Sequence, residues 1–237
     1  MREWIKGPQE WATAEQLQSL RKLDACVVAD AIAALNVRLR NQGYSNRQIR
    51  CMFEGPVPMV GYAVTGRMRS AEPPVVGHRF VERSDWFRYV KTIPEPRVAV
   101  LQDLDSAPGK GAFWDEIHAR IHLRLGCVGA VTNGAVRDLP KIRTTGFSLF
   151  AGSVSPAQGY AHIVEVGHPV EIGGLMISSG DLIHGDMHGI IRVPMEVVPE
   201  LLRIASRIAE TRGRVADLCA SPDFSIDRVM ALLNELE

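Results

Sequence analysis

The chain has 237 residues, 46% of them hydrophobic and 23% charged, enough to bury a sizeable core as a single domain, residues 1–237. Lys+Arg and Asp+Glu both number 27, so the formal net charge is zero and no global field favours nucleic acid or an anionic membrane. Cys26, Cys51, Cys127 and Cys219 form no CxxC pair, which argues against a disulfide framework or a thiolate zinc site and for a reduced, cytoplasmic setting. The start, Met1-Arg2-Glu3-Trp4-Ile5-Lys6-Gly7-Pro8, lacks the apolar core of a signal peptide, and no apolar run approaches the length of a membrane span.

In chain order, Thr13-Ala14-Glu15-Gln16 has the spacing of a capping box before Leu17, Leu20 and Leu23, so a helix is predicted from about residue 14. A second is predicted over Asp24 to Leu35, followed by a polar, basic connection from Arg38 to Arg50 that could cover a partner subunit. Val57 to Arg69 is rich in β-branched residues and reads as strand, Ser84 to Tyr89 as a short capped helix, and Val98 to Leu101 as a buried strand ending at Gln102-Asp103. Asp105 to Gly111 is a glycine-containing loop without the order of a P-loop. Ile117 to Leu125 then has the pattern of an amphipathic helix, stopped by Gly126, and Val128 to Thr132 that of a buried strand turned by Asn133-Gly134. Beyond Gly146 the sequence becomes strands and turns, at Phe147 to Phe150, Ile163 to Val166, Val170 to Ile172 and Leu175 to Ser178. Two helices close the chain, from about Met195 to Thr211 and from Ser225 to about Leu236.

The spacing between Glu116 and the pair Arg137-Asp138 carries the chemistry. A helix followed by a strand returns the chain to where the helix began, so an acid, a guanidinium and a second acid meet near a strand end, where open α/β sheets place their ligands. Asp138 offers a hard oxygen ligand of the kind that holds Mg²⁺ or Mn²⁺ with several waters, or it simply caps the turn into Leu139-Pro140-Lys141-Ile142. Arg137 either holds a carboxylate or enolate oxygen through its planar fork or pairs with Asp138 at the surface. A carboxylate in a first helical turn, as at Glu116, is favoured by the dipole whatever its chemistry, and the N–H groups of Asp115, Glu116, Ile117 and His118 form a seat for an anion. His118 and His122, four apart on one helix, are either a zinc-binding pair or, without a Glu-x-x pattern between them, a helical surface pair. His184-Gly185-Asp186-Met187-His188 is a rival metal site on a hairpin, and Lys141 raises Schiff-base chemistry against an exposed lysine on a short helix.

Gly126-Cys127-Val128-Gly129-Ala130-Val131-Thr132-Asn133-Gly134-Ala135-Val136-Arg137-Asp138, the acid-X20-Arg-Asp spacing and Gly180-Asp181-Leu182-Ile183-His184-Gly185-Asp186-Met187-His188-Gly189 together resemble the RraA-like family. Weaker agreement extends from about Asp24 through Gly61-Tyr62-Ala63-Val64-Thr65 to about Pro194, leaving helical additions over 1–23 and 195–237. That family includes the class II 4-hydroxy-4-methyl-2-oxoglutarate and 4-carboxy-4-hydroxy-2-oxoadipate aldolases as well as a regulator of ribonuclease activity.

The resemblance implies an α/β fold of the swivelling β/β/α type, assembled as a homotrimer or homohexamer with sites near subunit boundaries. It implies Asp138 as a direct ligand of Mg²⁺ or Mn²⁺, Glu116 acting on the metal through water, and Arg137 as a catalytic residue steadying an enolate. Glu116 departs from aldolases that carry aspartate there. Substrate would bind through Arg137 and the Asp115–His118 segment, and His184, Asp186 and His188 would line the cleft or a subunit contact. The implied reaction cleaves a 4-hydroxy-2-oxo acid to pyruvate and a second carbonyl compound, with oxaloacetate decarboxylation as a companion activity. A non-catalytic protein that binds a ribonuclease is the alternative.

Overall fold

The computed structural model describes residues 11–53, 57–75 and 80–236. Helices α1 (Ala14–Leu20) and α2 (Ala25–Ala34) open the described chain, each with a side-chain cap. Thr13 and Gln16 form the expected reciprocal capping box, and Asp24 accepts from Val27 N–H at 2.8 Å.

An eight-stranded sheet follows, built from β1 (Arg50–Cys51), β2 (Met59–Arg69), β3 (Arg97–Asp103), β5 (Cys127–Thr132), β7 (Ser148–Ala151), β9 (His162–Val166), β12 (Leu182–Asp186) and β13 (Gly189–Val193). Its order is β1-β7-β5-β3-β2-β12-β13, with β9 also paired to β2. The four strands β2, β3, β5 and β7 are mutually parallel, while β1, β9, β12 and β13 pair antiparallel. Helices α3 (Arg83–Val90) and α4 (Glu116–Arg124) return the chain between parallel strands. Successive residues of β3 serve opposite faces, with Ala99 and Leu101 in the helix-side core and Val98 and Val100 in the core under the hairpin of β10 (Val170–Ile172) and β11 (Leu175–Ile177).

Three local expectations are corrected. Helix α3 forms where expected but its N-cap residue Glu82 makes no side-chain cap bond. Helix α6 (Val198–Ala220) runs well past Thr211, where its buried stripe of Val198, Leu201, Ala205, Ile208 and Thr211 ends. Its outer half instead packs on α7 (Ile226–Leu233), with Arg214 paired to Glu235. His118 and His122 are not a surface pair, since the face of α4 that carries them is the buried one.

His122 is fully enclosed and hydrogen-bonded at both nitrogens: its Nδ1 donates to His118 O at 2.7 Å and its Nε2 accepts from Trp86 Nε1 at 2.8 Å. Burial pushes its pKa down from 6.5 to about 4, because a cation there would be desolvated. The unfolded chain therefore takes up a proton near 6.5 that the folded protein refuses until about 4. Stability is full above the unfolded value and falls as pH drops through that window, by about 2 kcal/mol between pH 7.5 and 5. Urea unfolding at the two pH values should show this loss, and a His122→Gln variant should lack it; an equal slope in both proteins would exclude the imidazole as its source.

Candidate functional site

A second, small sheet of three short parallel strands, β4 (Ala112–Trp114), β6 (Ala135–Val136) and β8 (Ser153–Val154), builds the site. Its register sets Ala112 against Ala135 and Trp114 against Val136, and Arg137 N–H continues the ladder to Trp114 O at 3.0 Å. Asp115 and Glu116, which follow β4, therefore lie beside Arg137 and Asp138, which follow β6. The acid-X20-Arg-Asp spacing is thus the length of one helix-and-strand circuit between two rungs of this ladder.

Side chains expected only as turn, loop and strand-end residues hold these connections in place. Asn133 Oδ1 accepts from Asp103 N–H at 2.7 Å and its Nδ2 donates to Asp103 O at 3.0 Å, tying the ends of β3 and β5 together. Asp103 Oδ2 accepts from Gly109 N–H at 2.9 Å, and Asp105 Oδ2 accepts from the N–H groups of Ser70 and Ala71, each at 2.7 Å. The Asp-x-Asp spacing ahead of a Pro-Gly turn is the signal that marks this loop. Gly111 admits the loop beside it, since a Cβ there would stand 2.2 Å from Gln158 O.

Asp115 is the N-cap of α4, its Oδ1 accepting from His118 N–H and His118 Nδ1, both at 2.9 Å. Its Oδ2 accepts from Gln158 Nε2 at 2.8 Å and faces Arg137 Nη2 at 3.5 Å. Burial pushes the Asp115 carboxyl up, but the hydrogen bonds from the His118 N–H, the His118 ring and Gln158 outweigh it and hold the group below the ordinary carboxylate range. The cap also corrects the expected anion seat: the His118 N–H is taken, which leaves Glu116 and Ile117 as first-turn donors.

Arg137 touches its surroundings only at long range, with Nη1 3.5 Å from Pro156 O and Nε 3.9 Å from Asp138 Oδ2. Its Nε is buried and makes no hydrogen bond. Asp138 occupies the N-cap position of α5 (Leu139–Arg143), yet its side chain makes no cap bond and its backbone is left-handed, φ 55°. The capping role is thereby removed. An aspartate held in a strained conformation without structural use for its carboxylate is the pattern of a functional position. Glu116 is committed to two cations, Arg120 Nε at 2.9 Å and Lys141 Nζ at 3.6 Å, and α5 packs on α4.

The hairpin residues lie elsewhere. Register places Gly185 against Met59 at the start of β2, whereas Asp103 pairs near the end of that strand, so Asp186 and His188 sit at the opposite end of the sheet from Asn133. His184 is enclosed, its Nε2 donating to Leu23 O at 2.9 Å, and Asp186 Oδ2 accepts from Ala25 N–H at 2.7 Å. His188 stays exposed, 3.1 Å from Asp186, as does Met187. Among the described residues no three His, Cys, Asp or Glu side chains converge as a metal cage. Within one chain the hairpin therefore stands apart from Arg137 and Asp138: His184 and Asp186 bond helix ends, and Asp186 and His188 line a separate cavity with Met59 and Phe150.

The family model described as RraA-like, Aldolase/RraA, matches residues 25–192. The chain belongs to the RraA-like family. A Halalkalibacterium halodurans protein provisionally named 4-hydroxy-4-methyl-2-oxoglutarate aldolase is 32% identical over 114 residues, 48% of this chain and 51% of that one. Protein DlpA of Legionella pneumophila is 27% identical over 132 residues, 54% of this chain but 21% of its own length. This RraA-like chain thus spans about half or less of those two relatives. Among solved structures, an uncharacterized protein from Pseudomonas syringae pv. tomato superposes with TM-score 0.72 over 96% of this chain and 99% of its own, at 22% identity. Streptomyces coelicolor RraAS2, described as an unusual member of the RNase ES inhibitor RraA family, gives TM-score 0.65 over 87% and 99% at 21% identity. These two likenesses establish the RraA-type α/β fold, with flanking helices.

The strain at Asp138 makes a stability prediction. Both Asp138→Gly and Asp138→Ala remove the carboxylate, but only glycine relieves the left-handed backbone, so the glycine variant should be the more stable by about 1–2 kcal/mol in urea unfolding. Equal stability would mean that the conformation at this residue is unstrained.

Proposed function

We propose that this protein is a class II pyruvate aldolase, cleaving a 4-hydroxy-2-oxo acid to pyruvate and a second carbonyl compound with the help of Mg²⁺ or Mn²⁺. The observation that carries the reading is the pairing of a buried, unpartnered Arg137 Nε with an Asp138 carboxylate that has no structural hydrogen bond. One partly exposed carboxylate with no hydrogen-bond partner fits a cation that keeps most of its waters, and it does not fit zinc. Asp138 would hold the ion directly and Glu116 through water, and the bound cation would supply Lewis acidity toward the 2-oxo group.

The chain's own groups account for the rest. C3–C4 cleavage needs the 4-hydroxyl proton removed and the released electron pair accommodated as the enolate of pyruvate. Arg137 presents an unused N–H to the developing oxyanion in a partly buried setting, where such a contact is stronger than in water. Glu116 lies at the same helix start, where a bridging water passes the 4-hydroxyl proton to its carboxylate, and protonation of the enolate at C3 then releases pyruvate. The N–H groups of Glu116 and Ile117 receive a substrate carboxylate. Decarboxylation of oxaloacetate passes through the same enolate. A trimeric or hexameric assembly, a cytoplasmic setting and a single RraA-like domain belong to this reading, and the exposed apolar Ile117 and Val154 beside the site support a covering subunit.

Two measurements test the reading. With Mg²⁺ or Mn²⁺ the protein should exchange the methyl protons of pyruvate with solvent deuterium, and a chelator or Asp138→Ala should abolish the exchange; borohydride with pyruvate should leave no adduct at Lys141. A lysine adduct would replace the mechanism, and neither adduct nor exchange would favour a non-catalytic, protein-binding role. Arg137→Lys keeps the charge and loses the fork, so kcat should fall by roughly two to three orders of magnitude with a smaller change in KM. A raised KM with kcat intact would make Arg137 a carboxylate clamp only.

A further inference from the structure

The Asp115 side chain does more than cap a helix. Capping requires one oxygen, and Oδ1 supplies it. Oδ2 is aimed the other way, 2.8 Å from Gln158 Nε2 and 3.5 Å from Arg137 Nη2. The Arg137 guanidinium therefore stands between two carboxylates, Asp115 at 3.5 Å and Asp138 at 3.9 Å. The Asp115 side chain is 7% exposed and that of Asp138 35%, so the nearer carboxylate is also the less screened.

We infer that Asp115 is a positioning residue that holds Arg137 off Asp138, leaving the Asp138 carboxylate open to a cation. The inference rests on the cation reading of Asp138. Without the Asp115 charge, the guanidinium has one carboxylate left within reach, and closing the 3.9 Å gap would turn the loose contact into a bidentate pair. The same closure would consume the N–H donors of Arg137 and the ligand oxygens of Asp138 together. Gln158 and His118 fix the rotation of the Asp115 carboxylate, so that its second oxygen stays on the Arg137 side.

Direct Mn²⁺ binding, followed by titration calorimetry or by the free-Mn²⁺ electron-spin signal, separates this role from a structural one. Asp115→Asn retains a cap oxygen and should melt near the temperature of the parent, yet it should weaken Mn²⁺ binding by about tenfold, the scale of losing a supporting group behind a metal ligand. In an Arg137→Gln background the same Asp115→Asn change should have less than about a threefold effect, because no guanidinium remains to close on Asp138. An equal loss in both backgrounds would show that Asp115 acts by field or fold and would overturn the inference. Should Asp115→Asn fail to fold, Asp115→Ser keeps a cap acceptor without the charge and should weaken Mn²⁺ binding in the same Arg137-dependent way; unchanged binding would count against the role. No Mn²⁺ binding by the unsubstituted protein would remove the cation reading and this inference with it, an outcome distinct from binding that ignores Asp115.

Discussion

The hydrogen bond from Arg137 N–H to Trp114 O, at the end of a two-residue strand, sets the distance between every charged group of the site. A one-residue slip in that ladder would turn the side chains after β6 to the other face and part Arg137 from Asp115. So short a strand cannot hold its own register. It is held by the ends of the large sheet, where the Asn133 amide bonds both backbone groups of Asp103, and by Ser155 N–H donating to Val136 O at 3.1 Å beyond it. The buried strands β3 and β5 are thus the rigid base on which a small, locally weak sheet is mounted.

Charge is distributed on this frame by burial. Asp115 is the most enclosed of the three acids and has every oxygen engaged; Glu116 is shared by Arg120 and Lys141; Asp138 is left with one contact at 3.9 Å. The acid with the fewest commitments is also the one whose backbone is strained. Local strain of this kind persists only where the surrounding packing over-determines it, and here Ile142 of α5 is fully buried against the helix-side core.

Much of this was legible in the sequence because local rules and the fold agreed. The capping box at Thr13, the buried strand at Val98 to Leu101 and the stop at Gly126 each follow from a few adjacent residues, and the circuit from Glu116 to Asp138 follows from element lengths. The side that α4 buries did not. Its sequence puts His118 and His122 on one stripe with Ala119, and what makes that stripe the inner one is an aromatic wall of Phe113 and Trp114, from the strand just before the helix, completed by Trp86, distant in sequence. His184 misled for the same reason, since its partners are the carbonyls at the end of α1, more than 160 residues away. The Asp105 and Asn133 bonds were unreadable as well, because each joins a side chain to backbone across a long loop closure.

The commitment of Glu116 to two cations bears on what it can contribute. A carboxylate already balanced by Arg120 and Lys141 is a poor direct ligand for a divalent ion, since binding would require displacing one of its partners. Such a group can still accept a hydrogen bond from a water at little cost, because its oxygens keep unused lone pairs. Its longer side chain, relative to an aspartate at the same helix start, is what reaches Lys141 on α5 and links the two helices that carry Glu116 and Asp138. Lys141 is thereby an exposed ion-pair partner, the opposite of the desolvated setting in which a lysine becomes a nucleophile.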